Sequence, residues 1–445
     1  MDKLLSKKRY KDKKIIVDTN EELYRNSFHK DYDRLIFSNS FRRLTRKTQV
    51  HPLSKNDHIH NRLTHSLEVA SVGRSLGLKA GYFLKEKYPE KDIDPSDVAY
   101  IIQTACLAHD IGNPPFGHAG EEVIKEWFKK NKEEPFLDKL SPDEILDFQH
   151  LDGNAQSFRI VTQLEHNSFN GGMRLTFATL GALVKYPYSS SNCEKSEKSK
   201  FNFFQSEKEF FKLLFNELDL IKEDGKYKRH PFSYLMEASD DICYGLLDLL
   251  DAIELKVIRL EDIKDIFTLL CEEKTFKDIY NNENYSDIIK IEKLVADAIN
   301  NLAKHTMEVF ETNFDVIVND KQSENDLLKL FTNSTLKEGI NKAKKFAQNK
   351  IFHEKRKIEL ELGAYNIIET LLYSFILATH ELYEIKDEKK LSFRNKRALA
   401  LMGEDKPELK DNLYVMYQRV IDYIVGMTDN HAQYIAGQLN GGIRG

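Results

Sequence analysis

The amino-acid sequence predicts an all-α fold built around one large catalytic body. Apolar residues recur close to every 3.6 positions along most of the chain, and the alternation of a half-buried strand is almost absent. The ten prolines are few, and Pro114–Pro115, Pro142, Pro187 and Pro231 mark segment junctions, where proline bounds helices rather than interrupts them. Over residues 64–85, Leu67, Val69, Ala70, Val72, Leu76 and Leu78 hold helical phase. The stretches 97–109, 119–130, 153–165, 208–222, 234–256 and 361–386 read the same way. Within 167–175 the Gly171–Gly172 pair predicts a turn in a short irregular piece. Three polar segments, 186–207, 273–288 and 315–337, read as loops or insertions. The expected organisation is a basic N-terminal arm over 1–30, a catalytic body over 31–304 and a helical region over 305–445. That last region would pack on the body or on a neighbouring subunit.

The bulk numbers exclude several classes. At 445 residues and 41% hydrophobic, the chain can bury a large core. A net charge of −5 gives no overall basic balance towards nucleic acid. The first fourteen residues depart from this, with Lys3, Lys7, Lys8, Arg9, Lys11, Lys13 and Lys14 against Asp2 and Asp12. They read as a solvated tail or as an arm that contacts a polyanion. No apolar run follows them, so they do not read as a secretory signal. No stretch approaches the ~18 uncharged apolar residues of a membrane span, and no membrane partner is expected. None of the four cysteines has CxxC spacing, which argues against a zinc knuckle or a disulfide framework and fits a reducing cytoplasm.

The chemistry gathers elsewhere. An apolar helix ends in Cys106-Leu107-Ala108-His109-Asp110-Ile111-Gly112. Successive helical residues point about 100° apart, so adjacent His and Asp reach one ion only near a helix end. Alone, this dipeptide is weak evidence. His65 lies upstream at the start of a helix. Asp240 lies downstream in an otherwise apolar helix, where a charge is costly unless paired or metal-bound. After the pair, Asn113-Pro114-Pro115-Phe116-Gly117 is a rigid turn that delivers His118 and Glu121, at i, i+3, to one face of a new helix. The bland alternative is a capping His118 and a solvated Glu121. Arg62, three residues before His65, shares that helix start and suits phosphate. Asp240, Tyr244 and Asp248 fall at i, i+4, i+8. If Asp240 faces a metal, Tyr244 and Asp248 continue the same wall.

The order His, His-Asp, Asp resembles the HD superfamily of metal phosphohydrolases, an all-α fold with a helical metal-binding core. The flanks resemble its bacterial dGTP triphosphohydrolases. Phe41 to Val50, Arg62 to Ser66, His109 to Glu121, Asp152 to Gln156, Leu180 to Pro187, Glu237 to Tyr244 and Gly426 to Asp429 carry the likeness. The Asn-Pro-Pro-Phe-Gly-His run is the specific part. The resemblance implies His65, His109, Asp110 and Asp240 as ligands of a divalent metal, Mg or Mn ahead of Fe, Co or Zn. One departure is Ser239, where the family places Ala before the ligand Asp. The resemblance further implies hydrolysis of a deoxynucleoside triphosphate, dGTP foremost, at the α-phosphorus, releasing deoxynucleoside and tripolyphosphate. His118, kept basic by Glu121, would handle a proton. Lys185 and Lys208 would bind phosphate and Gln49 sugar or base. Asn154 is a further substrate candidate, with a helix cap as its alternative. A homo-oligomer, hexamer or tetramer, is implied, and single-stranded DNA is a candidate partner. Two rivals stay open: another HD nucleotide phosphohydrolase or phosphodiesterase, and a nucleotide-sensing or DNA-binding protein with a vestigial site.

Overall fold

Three glycines explain how the central helices meet. Gly73, Gly77 and Gly81 form an i, i+4, i+8 stripe on the helix Arg62–Lys87. A Cβ at Gly77 would lie 2.7 Å from the Cα of Ala99, and one at Gly81 would lie 2.4 Å from the Cα of Pro95. Only bare backbone lets the helix Pro95–Ala108 lie this close alongside it. The helix Pro231–Glu254 crosses both, and the long helix Asp287–Val318 backs it. The structure is a computed structural model. It describes residues 1–442 apart from 19–21, 23, 51–55, 57, 167–170, 196–199, 322–325 and 352–354.

The all-α expectation holds. Among the described residues the one sheet is a hairpin of Lys8–Lys11 and Lys14–Val17, turned at Asp12 and Lys13, both at positive φ. This hairpin corrects the solvated tail. Leu4 is buried in the core and the guanidinium of Arg9 is buried against Asp31 and the carbonyl of Ser27. Asp31 also accepts from Thr176 N at 2.8 Å and Thr179 Oγ1 at 2.9 Å. One buried ion pair therefore docks a segment whose composition alone looks solvated.

Two apolar cores form. The first runs from Leu4 to Ile351 and holds the three crossed helices. The second joins Trp127 and Phe128 of the helix His118–Lys130 to the helices Lys355–Ile385, Leu413–Val425 and Asp429–Leu439. A division at residue 305 falls inside the helix Asp287–Val318, so the expected boundary of the C-terminal region is not where the chain changes core. Two of the expected loops also carry helix, Glu273–Tyr280 in one and the start of Ser334–Phe346 in the other. Residues 167–170 of the expected irregular piece lie outside the described residues, and beyond them Gly171 and Gly172 turn at positive φ. Ile358–Ile385 is long and apolar enough to cross a membrane by length and composition alone. Its Ile368, Leu371, Phe375 and Ile376 are fully buried in the second core.

His60 ties two of the crossed helices together. Its Nδ1 lies 2.6 Å from Asp251 Oδ1, near the end of Pro231–Glu254, and its Nε2 lies 3.1 Å from Glu68 Oε1, on Arg62–Lys87. Burial opposes a charge on this ring, but the bonds to Asp251 and Glu68 outweigh it and raise its pKa from 6.5 to about 10. Because the folded value is raised, the stabilisation is complete below pH 6.5 and fades as pH climbs towards 10. His60→Ala is expected to cost roughly 2–3 kcal/mol near neutral pH. Urea titrations of both proteins should show that difference shrinking between pH 7 and pH 10.

Candidate functional site

Three local devices aim the site residues. Asn61 caps the helix Arg62–Lys87 by accepting from Leu63 N at 3.0 Å and Thr64 N at 3.1 Å, which fixes the turn that carries Arg62 and His65. His109 is the C-cap of Pro95–Ala108, so it and Asp110 leave the helix together rather than 100° apart on its surface. Asp240 sits mid-way along Pro231–Glu254. Its unusual neighbour Ser239 bonds back to Leu235 O at 2.7 Å, which absorbs the departure from alanine.

The four predicted ligands converge. Asp240 Oδ1 lies 3.2 Å from His65 Nε2 and 3.4 Å from His109 Nε2, and His109 Nε2 lies 3.6 Å from Asp110 Oδ1. Ligand atoms of His65, His109 and Asp110 all fall within 4.8 Å of one another. His109 Nδ1 is 2.5 Å from the carbonyl of Cys106, an acceptor, so Nδ1 carries the proton and Nε2 turns its lone pair to the carboxylates. Two imidazole nitrogens and two carboxylates make a mixed N/O donor set for a divalent ion. The charges agree. Burial pushes the Asp240 carboxyl up, but Lys185 and His109 outweigh it and hold it well below the usual range. Burial likewise opposes the Asp110 anion, and Arg62, His109 and His65 overcome it. Burial lowers the His109 pKa while Asp110 and Asp240 raise it further, a field that favours a cation at this spot.

Neighbours hold the ligands still. Arg62 Nη1 donates to Asp110 Oδ2 at 2.7 Å, Asn113 Nδ2 to Asp110 Oδ1 at 2.6 Å, and Lys185 Nζ to Asp240 Oδ2 at 2.8 Å. Arg62, Lys185, Gln49, Asn154, Tyr244, His118 and Glu121 line the same cavity of about 530 Å³ as the ligands. The buried Oε1 of Gln49 has no hydrogen-bond partner among the described residues. The helix cap goes to Asp152, which accepts from Asn154 N at 2.7 Å, leaving Asn154 on the cavity wall.

Three expectations need correction. Lys208 does not line the cavity; it opens the helix Lys208–Glu217 with an exposed side chain. Lys200 takes the place expected for it, lining the cavity 3.7 Å from Glu121 and 3.5 Å from Asp152. Asp248 is buried off the cavity wall, beyond Tyr244. Glu121 does not keep His118 basic. Gly117, at φ +58, is the cap, so His118 is free to face the cavity. Burial, with Arg62 and Lys200, lowers its pKa by more than Glu121 raises it. Glu121 is itself buried, not solvated. Its Oε1 accepts from Gly153 N at 2.7 Å, and Lys200, with His118, holds it ionised against its burial.

Sequence reasoning missed a brace behind the 113–117 turn. Asp429 Oδ1 accepts from Phe116 N at 2.9 Å, and its Oδ2 accepts from Thr48 N at 3.0 Å and from the Thr48 hydroxyl. Lys47 Nζ donates to Asn113 O and to Val425 O, both at 2.6 Å. The brace joins the segment before His65, the 113–117 turn and the C-terminal helices. No local pattern announces it, because its partners are 66 to 381 residues apart; the Asp429 end lies in a stretch that carried the resemblance.

A helical body that gathers His, His-Asp and Asp in this order around one cavity is an HD-domain hydrolase, and the HD domain family matches residues 62–154. The chain belongs, more narrowly, to the deoxyguanosinetriphosphate triphosphohydrolase-like proteins of that superfamily. It is 44% identical over 430 residues to the deoxyguanosinetriphosphate triphosphohydrolase-like protein of Pseudomonas aeruginosa, covering 96% of each chain. The Synechocystis sp. protein of the same name is 34% identical, with 98% of each chain covered. The deoxyguanosinetriphosphate triphosphohydrolase of Yersinia enterocolitica is 31% identical, covering 91% of this chain and 92% of its own.

Asp429→Ala should remove the brace while leaving all four ligands in place. The expected result is kcat reduced on the order of 100-fold from misplacement of the 113–118 turn, with divalent-ion affinity nearly unchanged. Steady-state kinetics beside metal titration checks it.

Proposed function

We propose that the protein hydrolyses deoxynucleoside triphosphates, dGTP foremost, at the α-phosphorus, with a divalent ion, Mg or Mn ahead of Fe, Co or Zn. The observation that carries this reading is the convergence of His65, His109, Asp110 and Asp240 beside Arg62, Lys185 and Lys200 in one nucleotide-sized cavity. The printed names of the relatives support the substrate class. When bound by those four residues, the ion supplies charge neutralisation and an acidified water.

The chain's own residues divide the remaining work. Arg62, Lys185 and Lys200 offset phosphate charge that would otherwise repel an incoming nucleophile. Tyr244 carries the deoxyribose and crowds the position a 2′-hydroxyl would occupy. Gln49 Oε1, buried and without a partner among the described residues, accepts from a sugar hydroxyl or a base N–H. Water adds its oxygen to the α-phosphorus as the bond to O5′ breaks. The departing O5′ takes a proton, giving neutral deoxynucleoside and intact tripolyphosphate. An unprotonated alkoxide leaves poorly, and His118 is the proton donor the cavity offers. Burial, Arg62 and Lys200 disfavour the protonated ring that a donor needs, and Glu121 and the negative charge of a bound triphosphate favour it.

Product chromatography with every dNTP and NTP tests the reaction. Tripolyphosphate is expected from dGTP in Mg or Mn; monophosphate or pyrophosphate would make this a different HD phosphohydrolase, and no turnover at all would leave a vestigial site. EDTA should abolish turnover, and readdition of Mn should restore it. His118→Ala should lose at least 100-fold in kcat while retaining metal. Lys200→Ala should raise KM on the order of tenfold, whereas Lys208→Ala should leave both constants unchanged.

A further inference from the structure

One wall of the catalytic cavity does no work in the reaction just described. It is built by Asp241, Asp326, Lys329 and Lys344. Asp241 follows the ligand Asp240 on the helix Pro231–Glu254, and the other three come from a segment read from sequence partly as loop. Residues 326–344 are anchored: Leu328, Ile340 and Ala343 are buried against the face of Pro231–Glu254 that carries Ile242 and Leu246. Lys344 Nζ stands 3.6 Å from Asp241 Oδ1, an ion pair too long for a hydrogen bond, so both groups keep bonding capacity towards the cavity. Asp326 gives one oxygen to Leu328 N at 2.9 Å as a cap. Among the described residues its second oxygen has no hydrogen bond.

The charge of this wall differs from that of the phosphate wall. Two ammonium groups balance two carboxylates. A phosphate tail gains from cations and is repelled by carboxylates, so it fits Arg62, Lys185 and Lys200 better. A neutral heterocycle needs donors and acceptors together. Guanine offers acceptors at O6 and N7 beside donors at N1 and N2, and lysine and carboxylate are the partners those atoms take. Adenine lacks O6 and would turn the lone pair of N1 towards a carboxylate, which penalises it. Position agrees as well. Asp241 and Tyr244 are three apart on one helix and so are neighbours on its surface. A deoxyribose resting on Tyr244 carries its base beside Asp241.

We infer that Lys344 and Lys329, with Asp241 and Asp326, form the base-reading subsite of this cavity and select guanine. The inference rests on the dNTP reading above. The test is equilibrium binding, with Mn present, of dGTP and dATP to His118→Ala protein, compared with the same protein carrying Lys344→Met or Lys329→Met. Binding does not depend on turnover, and both lysines are exposed enough to change without unfolding the chain, which thermal melting verifies. The expected result is dGTP binding weakened on the order of tenfold and dATP binding changed less than twofold. Equal weakening of both nucleotides would make these lysines phosphate contacts and overturn the inference, as would no change in either. Failure of the His118→Ala background to bind any dNTP would defeat the dNTP reading itself. Retained binding with unaltered selectivity would defeat only the base-reading wall.

Discussion

The site depends on one shared carboxylate. Asp240 lies within 3.4 Å of both ligand imidazoles and is bonded to Lys185 on its other oxygen. A lone carboxylate in an apolar helix is costly to bury. Here it is stabilised because two helices bring His65 and His109 to it and the bend after Leu183 brings Lys185. The glycine stripe that lets Arg62–Lys87 and Pro95–Ala108 touch is therefore part of the chemistry: with wider separation, the two rings could not meet one oxygen.

Around this centre the fold separates two tasks. The first core fixes the four ligands through crossed helices. The second core carries the helix His118–Lys130, so the His118–Glu121 pair belongs to a different packed unit from most of the ligands. Lys47 and Asp429 join the units at the turn between Asp110 and His118. Among the described residues, the C-terminal helices thus reach the His118 turn without contacting the donor set directly.

Much of this was legible in the sequence, for physical reasons that also explain the failures. His109, Asp110 and the turn to His118 are contiguous, so a short motif carries their geometry. Tyr244 follows from helix phase, since four residues rotate only about 40° from Asp240. The same rule applied twice misplaces Asp248: eight residues rotate about 80°, enough to leave the wall. Lys200 and Lys208 flank one aromatic run, and nothing local says which one reaches the cavity. His60, Lys47 and Asp429 act across long sequence separations and leave no periodic trace. The N-terminal hairpin was hidden because composition counts a buried Arg9 with its solvated lysine neighbours.

The most direct test of the account is divalent-ion stoichiometry and affinity of the purified protein, by calorimetry with Mn and elemental analysis, for the wild type and Asp240→Ala. The shared-carboxylate site predicts one tightly held ion per chain and its loss in the variant, with helical content unchanged. A variant that binds the ion as tightly as the wild type would contradict it, because the residue on which both imidazoles converge would then be no ligand.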